Sequence, residues 1–266
     1  MFDILGALYY HWDVFLLLFL RVSGLIFNSP VFGRQNIPQT AKIGYCAVIA
    51  AMFYISIPQV NSLVLEYNDD LFTYILLCVT ELLFGMILGF VLNLFMTIAF
   101  TAGQVIDMQM GFGMVNVMDV QGNLSVPVSG NLLNIVILIV FFTVDGHLRL
   151  IEMLYNTMYT IPLGEVAFDP EKLGWVAMKL FVDSFTLAAV VAMPVIGSGL
   201  LAEICFGILM RVVPQMNAFS IGMPIKIVLG FLVLVAVMQV YVPFCTTIIT
   251  QMFQGMDQMF ATLAAG

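Results

Sequence analysis

The sequence predicts an all-α fold: a polytopic, membrane-inserted protein of long kinked helical hairpins. Three observations carry that prediction. Of 266 residues, 62% are hydrophobic and only 9% charged, against roughly 45–50% and 25% in a soluble domain. The apolar residues are spread over six long regions, which reads as several membrane-type helices. No region keeps a period of two over several tilted segments, which argues against a β-barrel. Runs this long in lipid must be helical, because only helices satisfy their own backbone groups.

The apolar regions are 14–32, 41–60, 71–101, 131–161, 174–212 and 225–253. Breaks rich in Pro, Gly or polar residues separate them, at Gly33–Thr40, Asn61–Asp70, Gly103–Gly130, Pro162–Leu173 and Val213–Pro224. No short repeat of the solenoid type is present. Met1-Phe2-Asp3-Ile4 has no basic n-region and no small-residue cleavage site follows it. The first apolar segment is therefore expected to be retained and to act as its own insertion signal.

Several functions are excluded by composition. The net charge is −8, with eight Lys and Arg, so no basic face exists for nucleic acid. Cys46, Cys78, Cys205 and Cys245 stand singly in apolar stretches, without CxxC or Cys/His metal spacing. They read as buried small hydrophobes. His11 and His147 have no spaced co-ligands, and no nucleophile elbow or Ser/His/Asp order is present. No catalytic residue, metal or cofactor is expected.

The segments fit a simple bilayer bundle poorly. Region 71–101 would be roughly 46 Å long at 1.5 Å per residue, against about 30 Å of hydrocarbon. The clean apolar part of the fourth region, Leu132 to Val144, reaches only about 20 Å. It runs into Asp145, His147, Arg149 and Glu152. Arg21, Glu81, Lys179, Asp183 and Glu203 also interrupt apolar segments, each at a cost of about 2.5–3.5 kcal/mol at a bilayer centre. Burial against partner subunits would explain both misfits, since protein can pair charges and has no fixed thickness.

The distribution of basic residues singles out one loop. Arg34 and Lys42 place the first loop on the cytoplasmic side, and Arg211 and Lys226 do the same for the fifth. Glu66, Asp69 and Asp70 suit the second loop outside. The third should then be cytoplasmic, yet Thr101 to Leu148 contains no Lys or Arg, only Asp107, Asp119 and Asp145. This stretch carries Met108, Met110, Met114 and Met118, with Phe112 between Gly111 and Gly113. Methionine repacks around changing shapes and glycine removes backbone restraint. Together they could form a deformable apolar seal that excludes water from a pore. The same residues could equally be an ordinary packed loop whose methionines fill gaps. A phosphate loop is excluded: no strand precedes it and no GK[ST] follows.

Two further features remain. Asp145, Arg149 and Glu152 are spaced to form one ion cluster on a helix, as are Lys179 and Asp183. Either set could be structural or part of a proton or ion pathway. Pro194, in Pro194-Val195-Ile196-Gly197-Ser198-Gly199, should kink or break the fifth region. A broken helix there, with the Asp145/Arg149/Glu152 cluster, would suit a monomeric secondary transporter of a small solute. An intramembrane enzyme would need a nucleophile-base or metal constellation that is absent.

Three stretches resemble the FliR family, the R or T subunit of flagellar and virulence type III export gates. The first is Arg21-Val22-Ser23-Gly24, Pro30-Val31-Phe32-Gly33, Ile37-Pro38 and Lys42. The second is Gly103-Gln104-Val105-Ile106-Asp107 with Met110-Gly111-Phe112, then Asp145-Gly146-His147 and Pro162-Leu163-Gly164. The third is Glu203, Arg211-Val212-Val213-Pro214-Gln215-Met216-Asn217 and Gly222-Met223-Pro224-Ile225-Lys226. The pattern RxxPQxN…GxPxK is hard to match by chance, and the three stretches span essentially the whole chain. One departure is Asp119-Val120, where the family often has Asp-Pro.

The resemblance implies a P-subunit-like helical part over 1–173, including a luminal plug loop at 103–130. It implies a Q-subunit-like helical hairpin over 174–266. The implied function is structural, as part of a channel and its plug for unfolded flagellar substrate proteins. The plug would comprise Met108, Met110, Gly111, Phe112, Gly113, Met114 and Met118. Arg21, Asp107, Asp145, Arg149, Glu152, Glu203, Arg211, Pro214, Gln215, Asn217, Pro224 and Lys226 would be structural motif and ion-pair residues. The implied partners are P-type and Q-type gate subunits (FliP-like and FliQ-like), the B-type switch and A-type export subunits, and membrane lipid. The implied location is the bacterial inner membrane within the flagellar basal body, with much of the core raised toward the periplasm.

Overall fold

A computed structural model describes residues 12–34, 36–57, 71–112, 127–166, 168–213 and 218–264, the side chains of 218–221 excepted. Among the described residues there are eight helices and no strand. They are α1 (Trp12–Asn28), α2 (Gln39–Ser56), α3 (Leu71–Met96), α4 (Ile98–Met110), α5 (Val128–Thr143), α6 (Gly146–Thr160), α7 (Pro170–Val212) and α8 (Ala218–Ala264). The all-α expectation holds, and most described residues of each of the six apolar regions are helical. Three stretches are long and apolar enough to cross a membrane: Leu71–Met110, Pro170–Val212 and Gly222–Ala264. At 40 to 43 residues each would reach roughly 60 Å, about twice the hydrocarbon thickness. The length misfit seen in the sequence is therefore real.

The chain divides into two compact units, each drawn from separate stretches. One contains residues 1–94, 145–180 and 251–266; the other contains 95–144 and 181–250.

In the first unit, α1 buries Val14, Leu17, Leu18, Val22, Leu25 and Ile26. That is the spacing of one helical face, and Arg21 lies on it. The face meets α3 at glycines. A Cβ on Gly24 would lie 2.5 Å from the Leu82 carbonyl oxygen, and one on Gly85 would lie 2.2 Å from that of Arg21. The helices therefore touch backbone to backbone, as small residues permit in membrane proteins. Asn28 closes the contact by donating to the Met86 carbonyl at 3.1 Å.

The turn after α1 is stitched by Ser29, whose Oγ accepts from the Val31 N–H at 3.2 Å and whose carbonyl accepts from the Gly33 N–H at 2.7 Å. Lys42 Nζ donates to the Gly33 carbonyl at 2.8 Å and is nearly buried. The lysine that suggested a cytoplasmic loop thus holds that loop to α2.

The helix starts and breaks depart from expectation in instructive ways. α7 begins four residues before its apolar run because Asp169 and Pro170 form a cap and first-turn pair. Asp169 Oδ1 accepts from the backbone N–H groups of Glu171 and Lys172 at 3.2 and 3.3 Å. The Lys172 ammonium, 3.0 Å from Oδ2, helped by those N–H groups, holds the Asp169 carboxyl below the usual carboxylate range. The opposite end carries Arg211 in its last turn, which suits the helix dipole.

Of the kink or break expected at Pro194, the break does not occur: α7 is continuous through it. α8 likewise passes through Pro224 and Pro243. A proline removes one hydrogen bond from a long apolar helix, and neighbouring groups can compensate. Gly174, near the start of α7, has open space where a Cβ would sit. Gly174→Ala should therefore raise stability by about 0.5–1 kcal/mol, seen as a higher Tm of the detergent-solubilised protein.

Candidate functional site

The stretch singled out by charge begins inside a helix. α4 continues to Met110 and α5 starts at Val128, so 103–110 and 128–130 are helical. The loop expected over 103–130 is correspondingly shorter. The helical ends win because Gly103 and Gly130 are used for close packing here, not for chain freedom. A Cβ on Gly103 would lie 2.0 Å from Gly130 Cα and 2.1 Å from its nitrogen. In the second unit the two helices that bracket the loop thus meet backbone to backbone.

Asp107, one turn before the end of α4, completes the clasp. Its carboxylate accepts from the Ser129 backbone N–H at 3.3 and 3.4 Å and is nearly buried. The N-cap residue of α5 is Pro127, which makes no side-chain cap bond. Asp107 supplies the missing acceptor from another helix, at the positive end of the α5 dipole. This explains how a buried carboxylate survives in a stretch without Lys or Arg.

The residues leading into the loop sit against the two long helices of the same unit. Gln109 lies on Gly199, where a Cβ would approach its side chain to 2.7 Å. Met110 is buried against Gly230. Gly111 ends α4 at φ 88, a left-handed C-cap that favours glycine. Phe112 meets Phe231 edge to face, ring centroids 5.8 Å apart. Met108 points away and is 75% exposed. Tyr241 Oη donates to the Leu133 carbonyl at 3.2 Å, tying α8 to α5. Among the described residues, buried Gln109 Nε2 and Ser129 Oγ have no hydrogen-bond partner. Gly113, Met114 and Met118 lie outside the described residues.

The expected ion pairs are largely rearranged. Arg21 pairs with Glu81: Nη2 donates to Oε1 at 2.9 Å and Nε to Oε2 at 2.5 Å, with both side chains fully buried. Arg21 Nη1 also donates to the Ile161 carbonyl at 3.0 Å, and Glu81 Oε1 accepts from the Gly164 N–H at 2.8 Å. The guanidinium lies 4.6 Å from the Phe84 ring centre. One node thus joins α1, α3 and the turn after α6. Glu81 was visible in the sequence as a second mid-helix charge of opposite sign, and burial of both demands pairing.

The cluster expected from Asp145, Arg149 and Glu152 does not form. Asp145 precedes α6 at φ 54, and its carbonyl accepts from the Leu148 and Arg149 N–H groups. Arg149 instead lies over the Phe253 ring at 4.4 Å. In the third motif, Glu203 and Lys226 are ion-paired across α7 and α8. Arg211 is exposed in the last turn of α7, Pro224 is within α8, and Pro214, Gln215 and Asn217 lie outside the described residues. Ser129, Gly199, Gly230 and Phe231 escaped sequence reasoning, since a residue that packs against a distant helix leaves no local pattern.

Fold and site define a polytopic helical membrane protein with an apolar, methionine-rich connection tied at its base. The family model for bacterial export proteins, family 1, matches residues 12–252, and the chain belongs to that family. It is 31% identical to the flagellar biosynthetic protein FliR of Bacillus subtilis (strain 168) over 231 residues, 86% of this chain and 87% of the relative. It is 28% identical to FliR of Escherichia coli (strain K12) over 257 residues, covering 96% and 93%. FliR of Aquifex aeolicus (strain VF5) is 25% identical over 250 residues, covering 92% and 91%. These similarities make the chain a membrane-embedded component of the flagellar export apparatus.

Proposed function

We propose that this chain is a structural, non-enzymatic subunit of the flagellar type III export gate. It assembles with P-type and Q-type subunits into a channel for unfolded substrate proteins, beside the A-type and B-type export components. Its core is raised toward the periplasm, with a P-like part over 1–173 and a Q-like hairpin over 174–266. The segment from Met108 through Met118 serves as the plug.

The observation that carries the plug reading is the clasp at its base. Gly103 against Gly130 and Asp107 on Ser129 hold both ends of the connection together. Met110 and Phe112 seat its first residues on α8. A soft apolar segment on a fixed base can yield at its tip and return. The competing transporter reading is weakened, since α7 is not interrupted at Pro194 and Arg149 lies over Phe253, ion-paired with neither Asp145 nor Glu152.

Replacing Met110, Phe112 and Met114 together by alanine in the assembled gate should make the membrane leak ions, measured as conductance in a planar bilayer. A seal unaltered by those replacements would count against the plug role.

A further inference from the structure

The first unit contains a cleft of about 190 Å³ outside the candidate site described above. It is lined by Arg149, Glu152 and Asn156 on α6 and by Phe253, Asp257 and Phe260 near the end of α8. Their spacings place each set on one helical face. Charges of both signs share this cleft without neutralising each other. Arg149 and Glu152 are three residues apart, a spacing at which such residues usually pair. Yet Arg149 lies over the Phe253 ring, 4.4 Å from its centre. Among the described residues it makes no ion pair, and neither Glu152 nor Asp257 has a cationic partner.

The location along α8 matters as well. Between Lys226 and Asp257 the helix carries no charged residue, within a stretch apolar enough to cross a membrane. Asp257 is thus the first charge after a long uncharged run. The cleft therefore lies at the charged end of that apolar run, the kind of boundary at which lipid headgroups are met.

We infer that this cleft binds the headgroup of a zwitterionic phospholipid bearing a primary ammonium, phosphatidylethanolamine. The planar Arg149 guanidinium presents N–H donors suited to a phosphate. Glu152 and Asp257 accept from the ammonium, which has three donors. Phe260 covers the short ethylene link. A headgroup with both charges two carbons apart matches a site that holds opposite charges apart. An anionic phosphatidylglycerol headgroup would leave both carboxylates unpaired, and a choline headgroup has no N–H to donate to them.

The test is native mass spectrometry of the full chain in its gently extracted complex, with phosphatidylethanolamine, phosphatidylglycerol or phosphatidylcholine of matched acyl chains added. Phosphatidylethanolamine should be retained over both others. The exposed double variant Glu152→Gln/Asp257→Asn should lower its retention roughly tenfold, the loss expected for charge-assisted bonds. The variant should leave phosphatidylglycerol retention unreduced, whereas Arg149→Gln should weaken both lipids. Soluble phosphoethanolamine at millimolar concentration should not displace the lipid. Equal retention of the three lipids, no loss in the double variant, or full displacement by the soluble headgroup would each overturn the assignment.

Discussion

Glu81→Ala should destabilise the protein by about 3–5 kcal/mol, because it strands the Arg21 guanidinium in a dry helix interface. Both side chains are fully buried. The two carboxylate oxygens receive Arg21 Nε, Arg21 Nη2 and the Gly164 N–H. Removing the carboxylate leaves those donors without an acceptor, and the low local dielectric magnifies the loss. Arg21→Ala should be comparably harmful. The double variant Arg21→Met/Glu81→Leu should recover most of the stability, since an apolar pair of similar volume carries no desolvation penalty. Denaturation of the detergent-solubilised protein, followed by circular dichroism, reads all three. A single-variant loss below about 1 kcal/mol, as for an exposed pair, would show that the node is hydrated.

Gly103→Val should be the most damaging substitution at the clasp. The three atoms nearest the new Cβ all belong to backbone: Gly130 Cα at 2.0 Å, Gly130 N at 2.1 Å and the Ser129 carbonyl carbon at 2.9 Å. Those atoms cannot swing aside as a side chain could, so α4 and α5 must separate. Asp107 would then lose its already long bonds to Ser129. Overpacking of this kind costs about 1–3 kcal/mol for one added methyl, so Gly103→Ala already falls in that range and valine exceeds it. Gly130→Ala should be milder, since its Cβ would first meet the Pro127 ring at 2.9 Å and the Phe100 carbonyl at 3.3 Å. Swimming of a strain carrying each variant, with Tm of the purified protein, gives the order Gly174→Ala, Gly130→Ala, Gly103→Ala, Gly103→Val from benign to severe. A Gly103→Ala protein as stable as Gly174→Ala would contradict the helix contact.

What could be read without coordinates follows from short-range physics. Six apolar regions gave helices because length and composition constrain a backbone in lipid, whatever its neighbours. The loop between α4 and α5 stood out because absence of basic residues is a property of sequence alone. Its exact ends did not, because Gly103 reads as a breaker until one knows that Gly130 faces it. At Pro194 a proline's local cost is visible in the sequence, but not that the helix continues through it.

The charges show the division most sharply. That Arg21 and Glu81 needed partners was fixed by their apolar surroundings, sixty residues apart in the chain. That they serve each other, while Arg149 passes over nearby Glu152 for the Phe253 ring, was decided by which helix faces meet. Composition and periodicity set how much surface must be hidden and by what kind of element. Only the tertiary contacts choose the partners, because pairing free energy depends on distance and local dielectric in the folded state.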